Sequence, residues 1–418
     1  METSETSETL EVKVDYYNNN HKEDLRKYPS FLEIDKMISK NKNVTINKSE
    51  FLTYLLFTEQ RDVDGLRTFA DFSKRIIKSY YLLEHFIEFS KASFRARLIG
   101  DQMDANLIER VGVSLSLCLI NKIHGLTDAD WSLIPVNNFK KTFDFNYASN
   151  GNQFIEVESK GSSIENNKIK NTNISNHKKS IEDKKQSISS AYQEKKESFN
   201  NLLYGVISVL DKNNIPQIWL LDPDPLSLEK IEPRKFRLLN RLYFYWRNLK
   251  YIVPNSTLLH ALINRIKIIE ELDDYNRVNK LYFLNRNGKQ IRFYGSSFAR
   301  KSVIGNDDVI GVVYPFDDKS LFFTGFPIEI FKILRSQDFD RILKFSYNKT
   351  YKACQVKCRI RTKQKGDFKI PDSESFYFKY VDKNREYIEF TLRGDLNTSS
   401  SGRVFGILNF DTCMNPSL

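Results

Sequence analysis

Cysteine is scarce: the 418 residues hold four, Cys118, Cys354, Cys358 and Cys413. So few, so scattered, exclude a disulfide framework and make a reducing cytoplasm the expected compartment. Cys354 and Cys358 are spaced like half a metal site, but no matching pair or histidine cluster lies near them, so ordinary thiols are expected. Long apolar runs are missing too. None approaches the ~20 residues a bilayer-crossing helix needs, and no membrane partner is expected. The N-terminus, "METSETSETLEVKV", is acidic and polar, unlike a signal peptide. It is expected to be a frayed leader, residues 1–27. The absence of an internal repeat excludes solenoids and propellers.

Apolar residues make up 40% and aromatics 13%, which excludes a chain disordered throughout. The length exceeds one ordinary core, so several domains are expected. Net charge is +11, and it is unevenly spread. From Glu229 to Lys301, sixteen Lys and Arg stand against six Asp and Glu, a balance of +10. A concentrated positive field attracts phosphate backbones. It would equally suit an acidic protein or an anionic membrane surface.

Residues 28–100 have apolar side chains at three- and four-residue spacing and read as a helical N-terminal region, a docking element for a possible protein partner. "DANLIERVGVSLSLCLINKIHGL" reads as another helix, with Leu107, Val111, Leu115, Cys118 and Leu119 as its stripe and Gly125 at its end. "KKTFDFNYASNGNQFIEVESKG" reads as two strands about an Asn-Gly turn. Residues 161–180, rich in Ser, Asn and Lys, read as a mobile loop, followed by a polar helix. "LLYGVISVLD" reads as a fully buried strand, and "IPQIWLLDPDP" as one more. The basic segment, 226–280, opens with "RKFRLLNRLYFYWRNLKY", helical, its aromatics expected in the core. Residues 281–418 alternate short strands and turns, with hairpins expected at "KLYFLNRNGKQIRFYG" and "ESFYFKYVDKNREYIEFTL".

The chemistry-bearing stretch is "FIEVESKGSS", residues 154–163. Ile155 and Val157 mark a buried strand, yet Glu156, Glu158 and Lys160 share its other face by period two. An edge strand with a solvated face would explain them blandly. Taken with its surroundings, the pattern says more. Helix with an acid, hairpin carrying Asp144 and then Glu158-x-Lys160, helix, buried strand: this order resembles the PD-(D/E)XK nuclease superfamily, over residues 101–225.

The resemblance implies an α/β fold with a restriction-endonuclease-like core (helix, mixed sheet, helix), here between a helical N-terminal and a β-rich C-terminal region. It implies a metal-dependent endonuclease, with DNA favoured over RNA because most members cut DNA. Asp144 and Glu158 match the carboxylates that hold Mg²⁺, for which Mn²⁺ can substitute, and Lys160 matches the lysine that orients water and stabilises developing charge. Glu109 falls where many members carry a further acid. A helix-start acid favouring the dipole explains it equally well. Phe143 replaces the signature proline, and Gln186 and Tyr192 are six apart where the RecB-like members have four. Glu156 is expected to be solvated. Phosphate contacts are expected from Arg234, Lys235, Arg237 and Arg241 of the basic segment and from Lys178 and Lys179 of the loop. The role could be that of an effector in antiviral defence or restriction. The alternative is a catalytically silent nucleic-acid-binding or scaffold subunit, against which the intact Asp144, Glu158 and Lys160 argue.

Overall fold

The computed structural model describes residues 8–41, 43–58, 69–132, 145–192, 201–226, 232–253, 257–272, 302–304, 309–317, 319–361, 379–380 and 387–410. The chain divides into two units, Met1–Gly65 with Lys78–Asn240, and Leu66–Ile77 with Arg241–Leu418.

The first unit begins with a strand, β1 (Thr9–Tyr16), where a frayed leader was expected. Leu10, Val12, Val14 and Tyr16 are buried at period two while Thr9 and Glu11 face outward. The acidic residues around this alternation hide it in the sequence, but one apolar face is enough to recruit a strand. There follow α1 (Asn19–Leu25), α2 (Leu32–Asn41), β2 (Asn43–Asn47), α3 (Lys48–Phe57), α4 (Phe69–Phe86) from Lys78 on, β3 (Ile87–Phe89) and β4 (Phe94–Ala96). Helices prevail in this region, as expected, but β2 joins β1 in the main sheet and β3 pairs with β4.

Helix α5 (Ala105–His124) has the ends its sequence calls for. The Asp104 side chain accepts from the Leu107 N–H at 2.8 Å, and Gly125 closes it in the left-handed region at φ 63°. The expected stripe from Leu107 to Leu119 is buried. Next come β5 (Phe145–Ser149), β6 (Phe154–Ser163), α6 (Thr172–Tyr192), β7 (Asn201–Leu210) and β8 (Gln217–Leu226). Between β5 and β6 the Asn150 side chain accepts from the N–H groups of Asn152 and Gln153, both at 2.9 Å, and Gly151 takes φ 97°. That is the Asn-Gly turn read from the sequence.

The six-stranded sheet runs β2-β1-β8-β7-β6-β5. It is mixed: β6 with β7 and β1 with β8 are parallel, the other pairs antiparallel. The parallel step from β6 to β7 is bridged by α6, the crossover such pairing requires. Two glycines bring α5 onto one face of β6. A Cβ on Gly112 would lie 2.7 Å from the Gly161 Cα, and one on Gly161 2.9 Å from the Ile108 carbonyl carbon. Ser116 and Ser159 also meet there, Oγ to Oγ at 2.8 Å. Ser159 and Gly161 share this face, so Glu158 and Lys160 point to the other, which α6 covers. There Ile174 and Ile181 pack with Ile207, Val209, Trp219 and Leu221.

The second unit holds α7 (Pro233–Ile252) from Arg241 on, α8 (Thr257–Glu271), β9 (Ser302–Ile304), β10 (Val309–Pro315), β11 (Ser320–Pro327), α9 (Ile328–Ser336), α10 (Phe339–Lys344), β12 (Tyr351–Arg361), β13 (Lys379–Tyr380), β14 (Tyr387–Thr398) and β15 (Val404–Phe410). Its sheet runs β10-β11-β15-β14-β12-β9, with β13 on β14. The β-rich C-terminal expectation is met. The hairpin expected across Asn287-Gly288 lies outside the described residues. Tyr245 is fully buried and donates its hydroxyl to the Ser401 carbonyl at 3.0 Å, a core role as expected. Among the described residues no helix is long and apolar enough to cross a membrane.

Candidate functional site

The site is built on the α6-facing side of β6. Glu158 is fully buried, and its Oε1 lies 2.7 Å from the Lys160 Nζ. Residues two apart on a strand share a face, so the Glu-x-Lys spacing produces this pair directly. A second ammonium arrives from α6: the Lys184 Nζ lies 2.7 Å from Oε1 and 2.6 Å from Oε2. Its reach follows from a gap in the neighbouring strand. Glu158 is the register partner of Gly205 on β7, where a Cβ would fall 2.6 Å from the Ile181 Cγ2. The bare glycine lets Ile181 settle on the sheet, and one turn later Lys184 stands over Glu158. Lys185, buried as well, donates to the Asp222 carbonyl, and the Asp222 side chain holds His21. Earlier on α6, His177 is held below the ordinary histidine range by burial and by the positive Lys160.

Glu156 is not solvated. It is buried one pleat from Glu158, where the Asn201 Nδ2 donates to its Oε1 at 3.1 Å. Burial pushes its carboxyl up to about 7, against the lowering effect of the bonds from Asn201 and Tyr147. Both faces of this part of β6 are covered, which the edge-strand picture did not foresee.

Asp144 lies outside the described residues. The residue after it, Phe145, is the register partner of Val157. Glu109 is exposed on α5, the helix that covers the face of β6 opposite to Glu158 and Lys160.

The lysine-rich loop is shorter and more tightly held than its composition suggests. β6 runs to Ser163 and α6 starts at Thr172. Between them Asn167 is buried, its Nδ2 donating to the Ile215 carbonyl at 2.8 Å. Lys170 sits 4.4 Å from the Trp219 ring and 4.8 Å from that of Tyr17. Lys178 and Lys179 are therefore helical residues. Lys178 pairs with Glu182 one turn on at 2.5 Å, and Lys179 is exposed.

The basic helix also departs from expectation. The Arg237 Nε donates to the Asp130 Oδ1 at 2.8 Å and its Nη1 to the Asn150 carbonyl at 2.9 Å, within the first unit. Arg241 is 2% exposed, and its Nη1 donates to the carbonyls of Ile342 at 2.7 Å and Phe345 at 3.1 Å, within the second. These guanidiniums close off buried polar groups, so Arg241 is not a surface phosphate contact and Arg237 is engaged by the fold. Arg234 is exposed and Lys235 half-exposed.

A carboxylate oxygen suits a hard cation such as Mg²⁺. As arranged, the described donors do not fit one: both Glu158 oxygens lie against ammonium groups. Among the described residues no three His, Cys, Asp or Glu side chains gather as metal ligands. Comparison with protein-family models, curated proteins and solved structures gave no match.

Proposed function

We propose that the chain is a PD-(D/E)XK-type nuclease, a metal-dependent endonuclease acting on DNA, with its centre at Glu158 and Lys160. One observation carries this reading: a Glu-x-Lys pair with its carboxylate fully buried, closed at 2.7 Å, on a strand entered from a hairpin and left through a helix that returns to a parallel strand. The succession α5, β5, β6, α6, β7, with the two helices on opposite faces, supports a restriction-endonuclease-like core. In this reading Lys160 places its charge beside the scissile phosphate and stabilises developing negative charge. Asp144 is the proposed second carboxylate, Mg²⁺ the proposed cofactor, and Arg234, Lys235 and Lys179 the proposed phosphate contacts. A silent nucleic-acid-binding or scaffold subunit is the second reading. It is favoured by the engagement of both Glu158 oxygens, which stabilises a buried carboxylate without any catalysis.

Incubating the purified chain with supercoiled plasmid, linear duplex, single-stranded DNA and RNA, in Mg²⁺, Mn²⁺ or EDTA, separates the two. The nuclease reading expects cleavage of DNA that EDTA stops and that Glu158→Ala removes. Intact substrates in every metal, or cleavage untouched by Glu158→Ala, would reject it.

A further inference from the structure

Two ammonium groups meet over one carboxylate between β6 and α6. The Nζ atoms of Lys160 and Lys184 each lie 2.7 Å from the Glu158 Oε1, so they stand no further apart than twice that distance. One opposite charge is enough to compensate a buried carboxylate. The second ammonium adds repulsion at close range, and the three groups sum to one positive charge. Glu158 is fully buried, whereas the side chains of Lys160 and Lys184 are 25% and 27% exposed. The carboxylate is therefore the floor of the cluster, and the open part of each lysine lies above it. An approaching anion meets both ammoniums before it meets Glu158.

We infer that Lys160 and Lys184 together seat a phosphoryl oxyanion, with Glu158 beneath them as the group that holds the two ammoniums side by side. The inference rests on the nuclease reading for its natural occupant, a DNA phosphate, and adds to it a phosphate-binding residue from outside the Glu-x-Lys pair. Charge-assisted N–H···O bonds of about 2.7–2.9 Å let the oxygens of one phosphate reach both nitrogens at this separation. Packing fixes the two lysines over the same spot. Glu158 is the register partner of Gly205, on which Ile181 rests, and Lys160 is the partner of Ile207, which packs with Ile174 and Ile181 of α6. Lys184 therefore stands over Glu158, and His177, one turn from Ile174 and one from Ile181, stands towards Lys160. This half-buried imidazole borders the seat and senses its charge, since burial and the positive Lys160 hold it below the ordinary histidine range.

The first test uses the wild-type full chain in EDTA, with inorganic phosphate as the probe. The titration of His177 is followed by nuclear magnetic resonance of the histidine rings, and the His177→Gln spectrum assigns its signal. A phosphate held against Lys160 offsets that lysine's charge, so the His177 pKa should rise toward the ordinary value. Sodium chloride of equal ionic strength should leave it in place. Lys184→Met should lose the rise and Lys184→Arg should keep it. The second test is binding of a short DNA duplex in EDTA. Lys184→Met should weaken it about five- to ten-fold and lower the salt slope by about one, and Lys184→Arg should restore both. No rise of His177 beyond that in chloride, or a rise that persists unchanged in Lys184→Met, overturns the seat. An unchanged duplex affinity in Lys184→Met overturns DNA phosphate as its occupant. If wild type cleaves DNA and Glu158→Ala does not, yet phosphate fails to move His177, the seat falls and the nuclease reading stands. If phosphate moves His177 in wild type but not in Lys184→Met, and no metal supports cleavage, the nuclease reading falls and the anion seat stands.

Discussion

Replacing Gly161 by alanine tests how α5 is held against the strand that carries the site. The added Cβ would lie 2.9 Å from the Ile108 carbonyl carbon and closer still to its oxygen. Both belong to helix backbone, so no side-chain rotation relieves the clash. Helix and strand must part by a few tenths of an ångström or more. The neighbouring layer resists, because a Cβ on Gly112 would itself meet the Gly161 Cα at 2.7 Å. Overpacking costs about 1–3 kcal/mol where side chains can yield, and backbone against backbone belongs at the upper end, about 3 kcal/mol. For a unit of this size that lowers the melting temperature by roughly 6–12 °C. Gly125→Ala is the control. It adds a Cβ in open space at φ +63°, so its cost is conformational alone, about 1 kcal/mol. Thermal and urea unfolding of the two variants measure the difference. Gly112→Ala combined with Gly161→Ala should cost less than the two single changes together, since one separation of α5 from β6 relieves both. A Gly161→Ala protein no less stable than Gly125→Ala would refute the backbone-to-backbone contact.

Under the proposed nuclease reading, Glu158→Ala and Lys160→Ala should each reduce DNA cleavage on the order of 10³-fold or more while circular dichroism stays native; residual cleavage within ten-fold of wild type would remove either residue from the centre. Arg237→Ala leaves the buried Asp130 carboxylate without its guanidinium and should cost about 3–5 kcal/mol in urea unfolding. Lys235→Ala, on the half-exposed side of the same helix, should cost within about 0.5 kcal/mol. His124 is buried, its Nε2 is 2.9 Å from the Tyr204 hydroxyl, and burial lowers its pKa from 6.5 to about 4. A depressed folded pKa gives stability that is present above the unfolded value and lost as pH falls through the folded one, so about 3 kcal/mol should disappear between pH 6.5 and 4. The gap between wild type and His124→Gln in urea midpoint should shrink across that window, and a gap independent of pH would exclude the charge-burial explanation.

What the sequence reveals and what it hides differ in range. Asp104, Gly125 and the Asn150-Gly151 turn act on backbone within a few residues, so their spacing is enough to place α5 and the hairpin. The Glu158–Lys160 pair is equally local, because period two puts both side chains on one face. Arg237 and Arg241 fall at the other extreme. A count of positive charges cannot tell a guanidinium facing water from one donating to the carbonyls of Ile342 and Phe345, a hundred residues away along the chain. β1 was obscured differently: its apolar alternation is set among charged residues and gains meaning only from β8 and β2, the strands it pairs with. Lys184 joins both difficulties. It is one of several lysines on a polar helix, and its own neighbourhood in sequence gives no sign of special use. What singles it out is the parallel register that sets Gly205 beside Glu158, and with it the missing Cβ that brings Ile181 down onto the sheet. A signal did exist: a glycine within an otherwise unbroken apolar strand marks a place where something approaches closely. Joined to the Glu-x-Lys strand through the parallel crossover that the structure shows, it points to the following helix as a contributor to the site. It does not choose among that helix's lysines; the packing of Ile181 does.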